Sequence, residues 1–192
     1  AITINSGTVN ANGNIMLNNS NAGGGGTGTI NINGTGNQTF TGSGVAGSGR
    51  IPNVTINKSG GTLTLASIIT CAGDWTYTSG TVSPGTSTVA FTGTKNLDGE
   101  GSSSTMSFNK AYIYANTRTL TGNLIANSDL KIYSGATLTQ NSKTMSIGGS
   151  WINSGTYTTS SAMVSFTGPG NDSLYNSSGT ETFNRLRMNK SP

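Results

Sequence analysis

Short runs in which apolar and polar residues alternate recur along the whole chain. In the clearest of them Val54 and Ile56 alternate with polar neighbours, and the same spacing returns at Ala111 and Ile113. Strict alternation over a few residues is typical of a β-strand with one buried face. Clusters of Gly, Asn and Ser, which favour turns, separate the runs. The pattern therefore predicts an all-β protein of many short strands and frequent corners, with no substantial helix.

Three short phrases recur in a fixed order, which indicates an internal repeat. The first contains Gly34, Gly93 and Gly168 in its successive copies, so the second interval between copies is longer than the first. The copies of this phrase are INGTGNQ, FTGTKN and FTGPGN. The second phrase reads VNANGNI, ITCAGDW and MSIGGSW, and the third reads IPNVTIN, FNKAYIY and FNRLRMN. The chain therefore consists of partial copies of one unit.

The unequal spacing of the copies favours a solenoid over a closed sandwich. A solenoid accommodates extra residues because each coil contacts only its neighbours. The sequence predicts one right-handed parallel β-helix over 1–192, with roughly ten coils of about 16–20 residues. Its predicted divisions are a partial repeat 1–33, repeats 34–92 and 93–167, and a partial repeat 168–192.

Both ends of the sequence interrupt a repeat unit. The chain stops at RMNKSP, although the matching phrase INKSGG continues into a further strand, and AITINSGTV also begins within a unit. Solenoids need polar caps on their terminal coils, and neither end has the character of a cap. We expect a segment of a longer repetitive chain, or neighbouring molecules that cover the ends. Unpaired strand edges would also favour end-to-end self-association.

Composition argues against several classes of function. Only 8% of the residues are charged, the net charge is +4, and the ten Lys and Arg residues form no run. Nucleic-acid binders usually cluster their basic residues, so these side chains are interpreted as solvated surface and no nucleic-acid partner is expected. No apolar stretch has membrane-spanning length. Histidine is absent, which removes the usual nucleophile–base pairs and zinc sites. We expect no enzymatic activity and no cofactor.

The cysteine and the two tryptophans are predicted to fill the core. Cys71 takes the place of Ala11 and Ile147 in the other copies of the second phrase, where an inward apolar residue is expected. Trp75 and Trp151 take the place of an isoleucine. A buried thiol in apolar surroundings is inert, and a Trp that replaces Ile serves to fill volume.

Asp98 and Glu100 are the only two carboxylates close together in the sequence, in NLDGEGSSS. Two carboxylates form a weak candidate metal site, because Ca²⁺ requires more oxygen ligands than they supply. The favoured interpretation is a solvated corner. An alternative function, a carbohydrate-active β-helix enzyme (a lyase or glycosidase), would require this pair to meet Asp74 or Asp129 in space, since glycosidases use paired carboxylates.

Exposed tyrosines give a candidate ligand site. Tyr112 and Tyr114 flank an inward isoleucine, and further along the chain Lys131 and Tyr133 flank another. Because the step between these two segments is close to the length of one coil, Tyr114 is predicted to lie over Tyr133 and Tyr112 over Lys131. Such a ladder would bind a sugar chain, or would only stabilise neighbouring strands as cross-strand aromatic pairs do.

Pairs of threonines separated by one residue raise a second alternative, an ice-binding solenoid. Five such pairs are Thr62/Thr64, Thr76/Thr78, Thr86/Thr88, Thr117/Thr119 and Thr137/Thr139. Ice binding would require at least three pairs in register on one flat face. The variable repeat length instead favours threonine as an ordinary exposed strand residue.

The phrases FTGTKN, VTINKSGGTLTLAS and GGSWINSGTYTTSSAMVSFTG resemble repeats of long secreted β-helical surface proteins and adhesins from Bacteroidetes-type bacteria. The resemblance covers nearly the whole chain, but rests on repeat style and supplies no catalytic or ligand residues. It implies an extracellular or cell-surface location. The sequence and the resemblance together lead us to expect a non-catalytic structural or adhesive segment whose partner is a polysaccharide or a neighbouring cell surface.

Overall fold

A computed structural model describes residues 2–99, 106–177 and 179–190, and the regular secondary structure of this part of the chain consists of β-strands alone. It contains no helix that could cross a membrane. Its twenty strands are β1 (Thr8–Ala11), β2 (Ile15–Met16), β3 (Thr29–Ile32), β4 (Gln38–Thr41), β5 (Asn53–Ala66), β6 (Ile68–Cys71), β7 (Trp75–Ser83), β8 (Thr88–Phe91), β9 (Lys95–Leu97), β10 (Lys110–Ile113), β11 (Asn116–Leu120), β12 (Leu124–Ala126), β13 (Leu130–Ile132), β14 (Ala136–Thr139), β15 (Met145–Ile147), β16 (Trp151–Asn153), β17 (Thr156–Thr158), β18 (Met163–Phe166), β19 (Leu174–Asn176) and β20 (Arg185–Met188).

The strands form three parallel sheets. The ten-stranded sheet follows the order β1-β3-β5-β7-β9-β11-β14-β17, and β2 and β4 join it through β5. The six-stranded sheet has the order β19-β16-β13-β10-β8-β6, and the four-stranded sheet has the order β12-β15-β18-β20. The consecutive strands β11, β12 and β13 lie in three different sheets, and β14, β15 and β16 repeat this order. From β11 to β19 the chain therefore visits each sheet once per turn, whereas the turns before β11 contain no strand of the four-stranded sheet.

This arrangement confirms the predicted parallel β-solenoid, with fewer and longer coils than expected. The length of a coil is the number of positions between residues that pair on successive turns. It is short between Leu138 and Tyr157 and longer between Ile15 and Phe40. Eight strands lie along the main path of the ten-stranded sheet, which corresponds to eight turns rather than ten. From β11 to β19 each coil contains three strands and the corners between them, and in the earlier coils β5 and β7 are long strands.

The repeated phrases mark strand-and-corner units and not whole turns. Val54, Ala111 and Leu186 occupy matching positions in the third phrase, yet they lie in β5, β10 and β20, which belong to three different sheets. Each copy is therefore displaced from the previous one by whole turns plus part of a turn. This displacement explains why the intervals between successive copies do not correspond to a whole number of coils.

Inward side chains from all three sheets form one continuous core. Cys71, Trp75 and Trp151 are fully buried, in agreement with their predicted role. The ring of Trp75 lies 5.7 Å from that of Phe108 and 6.1 Å from that of Phe91, both measured between centroids. Burial raises the pKa of the Cys71 thiol to about 11, so the thiolate does not form at neutral pH.

Two basic side chains lie inside the solenoid, so the prediction that all ten are solvated was wrong. Lys58 is 2% exposed and its ammonium donates hydrogen bonds to the carbonyl oxygens of Gly34, at 2.5 Å, and Gly36, at 2.9 Å, and to Oε1 of Gln38, at 2.6 Å. Desolvation lowers the pKa of Lys58. Arg118 is fully buried as well. Both cations are tolerated because oxygens of neighbouring turns replace their hydration.

Candidate functional site: tyrosines on the six-stranded sheet

The six-stranded sheet carries the tyrosine surface, which consists of Tyr112, Tyr114, Lys131 and Tyr133. Strands β10 and β13 pair in parallel with Tyr112 opposite Lys131, as their spacing in the sequence predicted. The rings of Tyr114 and Tyr133 lie 4.8 Å apart between centroids, so these two side chains are in contact on successive turns. All four side chains are half-buried, with inward Ile113 and its neighbours holding the strands against the core.

The rings are tilted against one another and do not form a flat sheet of aromatic faces. The interplanar angle is 51° between Tyr114 and Tyr133, and 61° between Tyr112 and Tyr133, whose centroids lie 5.9 Å apart. The Nζ atom of Lys131 lies 4.4 Å from the Tyr133 ring centroid, in cation–π contact. Such a surface offers apolar ring faces beside hydroxyl and ammonium donors, a combination suited to sugars.

The corner at residues 43–50 bounds the tyrosine surface at one end. The Gly47 backbone N–H donates a hydrogen bond of 3.1 Å to the Thr70 hydroxyl. Thr70 is on the outward side of its strand, yet it is fully buried because this corner covers it. Gly47 also lies against the ring of Tyr114, because a Cβ added there would meet that ring. Tyr114 therefore contacts both Gly47 and Tyr133.

An ion pair adjoins Tyr112. The Lys110 ammonium lies 3.1 Å from Oδ2 of Asp129 on the next turn, and this hydrogen bond is the main reason why the pKa of Lys110 is raised. Burial is the main reason why the pKa of Tyr112 is raised. Lys110 therefore stays charged and Tyr112 stays a hydrogen-bond donor at neutral pH.

The predicted carboxylate sites are only partly described. Asp98 follows β9 and lies against Gly122, whereas Glu100 lies outside the described residues, so this candidate metal site stays a prediction. Across the described residues, no three His, Cys, Asp or Glu side chains cluster as metal ligands would. Asp98 lies on the turn next to Asp74, because its N–H donates a hydrogen bond of 2.8 Å to the carbonyl oxygen of Trp75. Since Glu100 is outside the described residues, a meeting of the pair with Asp74 or Asp129 stays a prediction.

A second ordered surface, the threonine array, lies on the ten-stranded sheet. Its members are Thr117, Thr119, Thr137, Thr139, Thr156 and Thr158. They form three pairs in register on β11, β14 and β17, and the two turns that separate these strands are almost equal in length. The variable repeat length thus conceals a regular coil length in this region. Sequence reasoning missed the third pair, although TRT, TLT and TYT follow one another at nearly constant spacing.

A shallow groove of about 390 Å³ lies on the four-stranded sheet, away from both surfaces. Polar side chains dominate its outward rows, among them Thr144, Ser146 and Ser165, with Arg187 near the end of the chain. None of the residues singled out from the sequence as candidate sites lies in it.

Comparison with protein families, with curated proteins and with solved structures found no match for this chain.

Proposed function

We propose that this chain is a non-catalytic structural and adhesive segment of a larger extracellular or cell-surface repeat protein, and that it contacts glycans through the tyrosine surface. The observation that carries the proposal is the register of β10 and β13, which gathers three tyrosine rings and a lysine on one outward face. Aromatic rings with a polar handle suit ligands that have both apolar and hydroxylated faces. The resemblance to secreted surface repeats supports the proposed location.

The architecture also suits a structural role. Neighbouring turns are joined by parallel ladders throughout, and one core runs through all three sheets. A stack of this kind is rigid along its axis, because each turn is held by the turns on both sides of it. Such a rod would hold the tyrosine surface at a fixed position relative to the rest of the parent protein.

The test is a glycan array with a polysaccharide pull-down, comparing the native chain with the triple variant Tyr112→Ala/Tyr114→Ala/Tyr133→Ala. We expect the native chain to bind and the variant to lose at least about tenfold in affinity, since stacked aromatic contacts dominate such binding. The matched control is Thr137→Ala on the ten-stranded sheet, which should bind like the native chain. Binding that survives in the folded triple variant, or no binding by the native chain, would contradict the proposal.

The threonine array favours ice binding as a second candidate function. Its hydroxyls repeat about every 4.8 Å between turns and about every 6.6 Å along each strand. A rigid array with these two repeats can hold surface water in an ordered layer. The array supports this candidate because three of its pairs are in register on one sheet.

We expect the native chain to inhibit ice recrystallisation and Thr137→Lys, at the centre of the array, to abolish the effect. A lysine there disrupts the ordered water with a strongly hydrated charge. The matched control is Thr64→Lys, a half-buried threonine on β5, outside the array. Native protein that inhibits no better than an equal mass of serum albumin would rule out this function.

A further inference from the structure

We propose that the ligand of the tyrosine surface is an anionic polysaccharide, lying along the solenoid axis over four turns. This inference rests on the function proposed above and specifies the class of ligand. It follows from two features of the six-stranded sheet, a row of side chains that extends the tyrosine surface and an excess of positive charge around it.

The axial row consists of Tyr112, Lys131, Ile152 and Tyr175. The order of strands in the sheet places β10, β13, β16 and β19 side by side, and these four residues are paired in register across them. Tyr175, on β19, is 52% exposed. With about 4.8 Å between turns, the row spans about 14 Å, enough for several sugar rings. Apolar and aromatic side chains therefore continue beyond the surface found from the sequence.

Lys131 supplies a cation in the middle of the row. Within the part of the chain that the structure describes, three ion pairs form and Lys131 belongs to none of them. These ion pairs are Lys95 with Asp74, Lys110 with Asp129 and Lys190 with Asp172. The Lys131 ammonium lies over the Tyr133 ring, where it can hold a carboxylate or sulfate while the ring stacks on the sugar.

Arg50 adds a further positive charge beside the row. Its Nε donates a hydrogen bond of 3.0 Å to the carbonyl oxygen of Gly47, the residue that lies against Tyr114. Lys110 is paired with Asp129, whereas Arg50 and Lys131 belong to none of the three ion pairs. With the single carboxylate of Glu181 bound to Trp151 and Asn153 on β16, the charge around Lys131 remains positive. Such a field attracts an anionic chain and disfavours a cationic one.

The experiment measures binding to two pairs of polysaccharides that share a backbone within each pair, one member being anionic and the other neutral. Dextran sulfate is compared with dextran, and polygalacturonate with its methyl ester, so that sulfate and carboxylate are distinguished as the anionic group. We expect binding to at least one charged member to be about tenfold tighter than to its neutral partner. Equal binding within both pairs would contradict an anionic ligand but not the proposed function. If the chain binds none of the four polysaccharides and no glycan on the array, the anionic ligand and the proposed function are both contradicted.

Two variants locate the site. Lys131→Gln should weaken binding to the charged polysaccharide about tenfold, while Lys143→Gln, which removes the same charge from a distant corner, should change it less than twofold. Equal losses in both variants would show attraction by net charge alone and would contradict a site at Lys131.

Tyr175→Ala should weaken binding about fivefold, and unchanged binding would contradict a ligand that runs along the axial row.

Discussion

Replacing Arg118 with alanine is expected to lower the free energy of unfolding by about 3–5 kcal/mol. Its guanidinium donates hydrogen bonds to the carbonyl oxygens of Gly73, at 2.7 Å, Cys71, at 2.9 Å, and Asn96, at 3.2 Å. It also lies 5.1 Å from the centroid of the Phe91 ring. One side chain thus joins three turns, and its removal leaves a cavity and buried carbonyls without their donors.

The measurement is urea unfolding followed by circular dichroism. Arg118→Met separates the contribution of the hydrogen bonds from that of packing, because Met fills much of the volume but donates no hydrogen bond. We expect it to be nearly as destabilising as Arg118→Ala. The control is Arg185→Ala on β20, which removes an exposed guanidinium and should change stability by less than about 0.5 kcal/mol. If Arg118→Ala and Arg185→Ala unfold at the same urea concentration, the hydrogen bonds of Arg118 do not stabilise the contacts between turns.

Gly93→Ala is expected to destabilise the protein by about 3 kcal/mol. A Cβ at Gly93 would collide with the carbonyl oxygen of Ala72 on the preceding turn. Gly34 and Gly168, the matching glycines of the first phrase, face backbone carbonyls of Asn12 and Gly148 in the same way. The repeated glycine is therefore required wherever the corner passes close to its neighbour.

The control for this effect is Gly36→Ala, in the same phrase as Gly34. A Cβ at Gly36 meets nothing within 4 Å, so the variant should unfold within about 0.5 kcal/mol of the native chain. Thermal and urea unfolding of both variants provide the comparison. Equal stability of Gly93→Ala and Gly36→Ala would contradict the close approach of Gly93 to the preceding turn.

The sequence predicted the fold class because a solenoid repeats its local pattern. Alternation around Val54 and Ala111 identifies half-buried strands, and repeated phrases require stacked units. It did not predict the coil number, because corners differ in length: the corner that joins β13 to β14 is shorter than the one that joins β14 to β15. Only pairing between distant residues, such as Leu138 with Tyr157, determines where each turn closes.

The candidate surfaces were predictable to the extent that their members are close in sequence. Tyr112 and Lys131 lie one coil apart, so their spacing alone gave the correct register. Tyr175 was missed because its place in the row depends on two further turns, both of them longer than the turn from Tyr112 to Lys131. The burial of Arg118 was missed because its acceptors at Gly73 and Cys71 lie 45 and 47 positions away in the sequence.

The most direct test of the proposed function is whether the native chain binds polysaccharide through Tyr112, Tyr114 and Tyr133. A pull-down with dextran sulfate and polygalacturonate, run beside the folded triple alanine variant, gives the answer in one experiment. We expect at least one of these polysaccharides to retain the native chain and the variant to pass through. Equal retention of the native chain and the variant would contradict the proposed function. So would a native chain that is retained by neither polysaccharide and binds no glycan on the array.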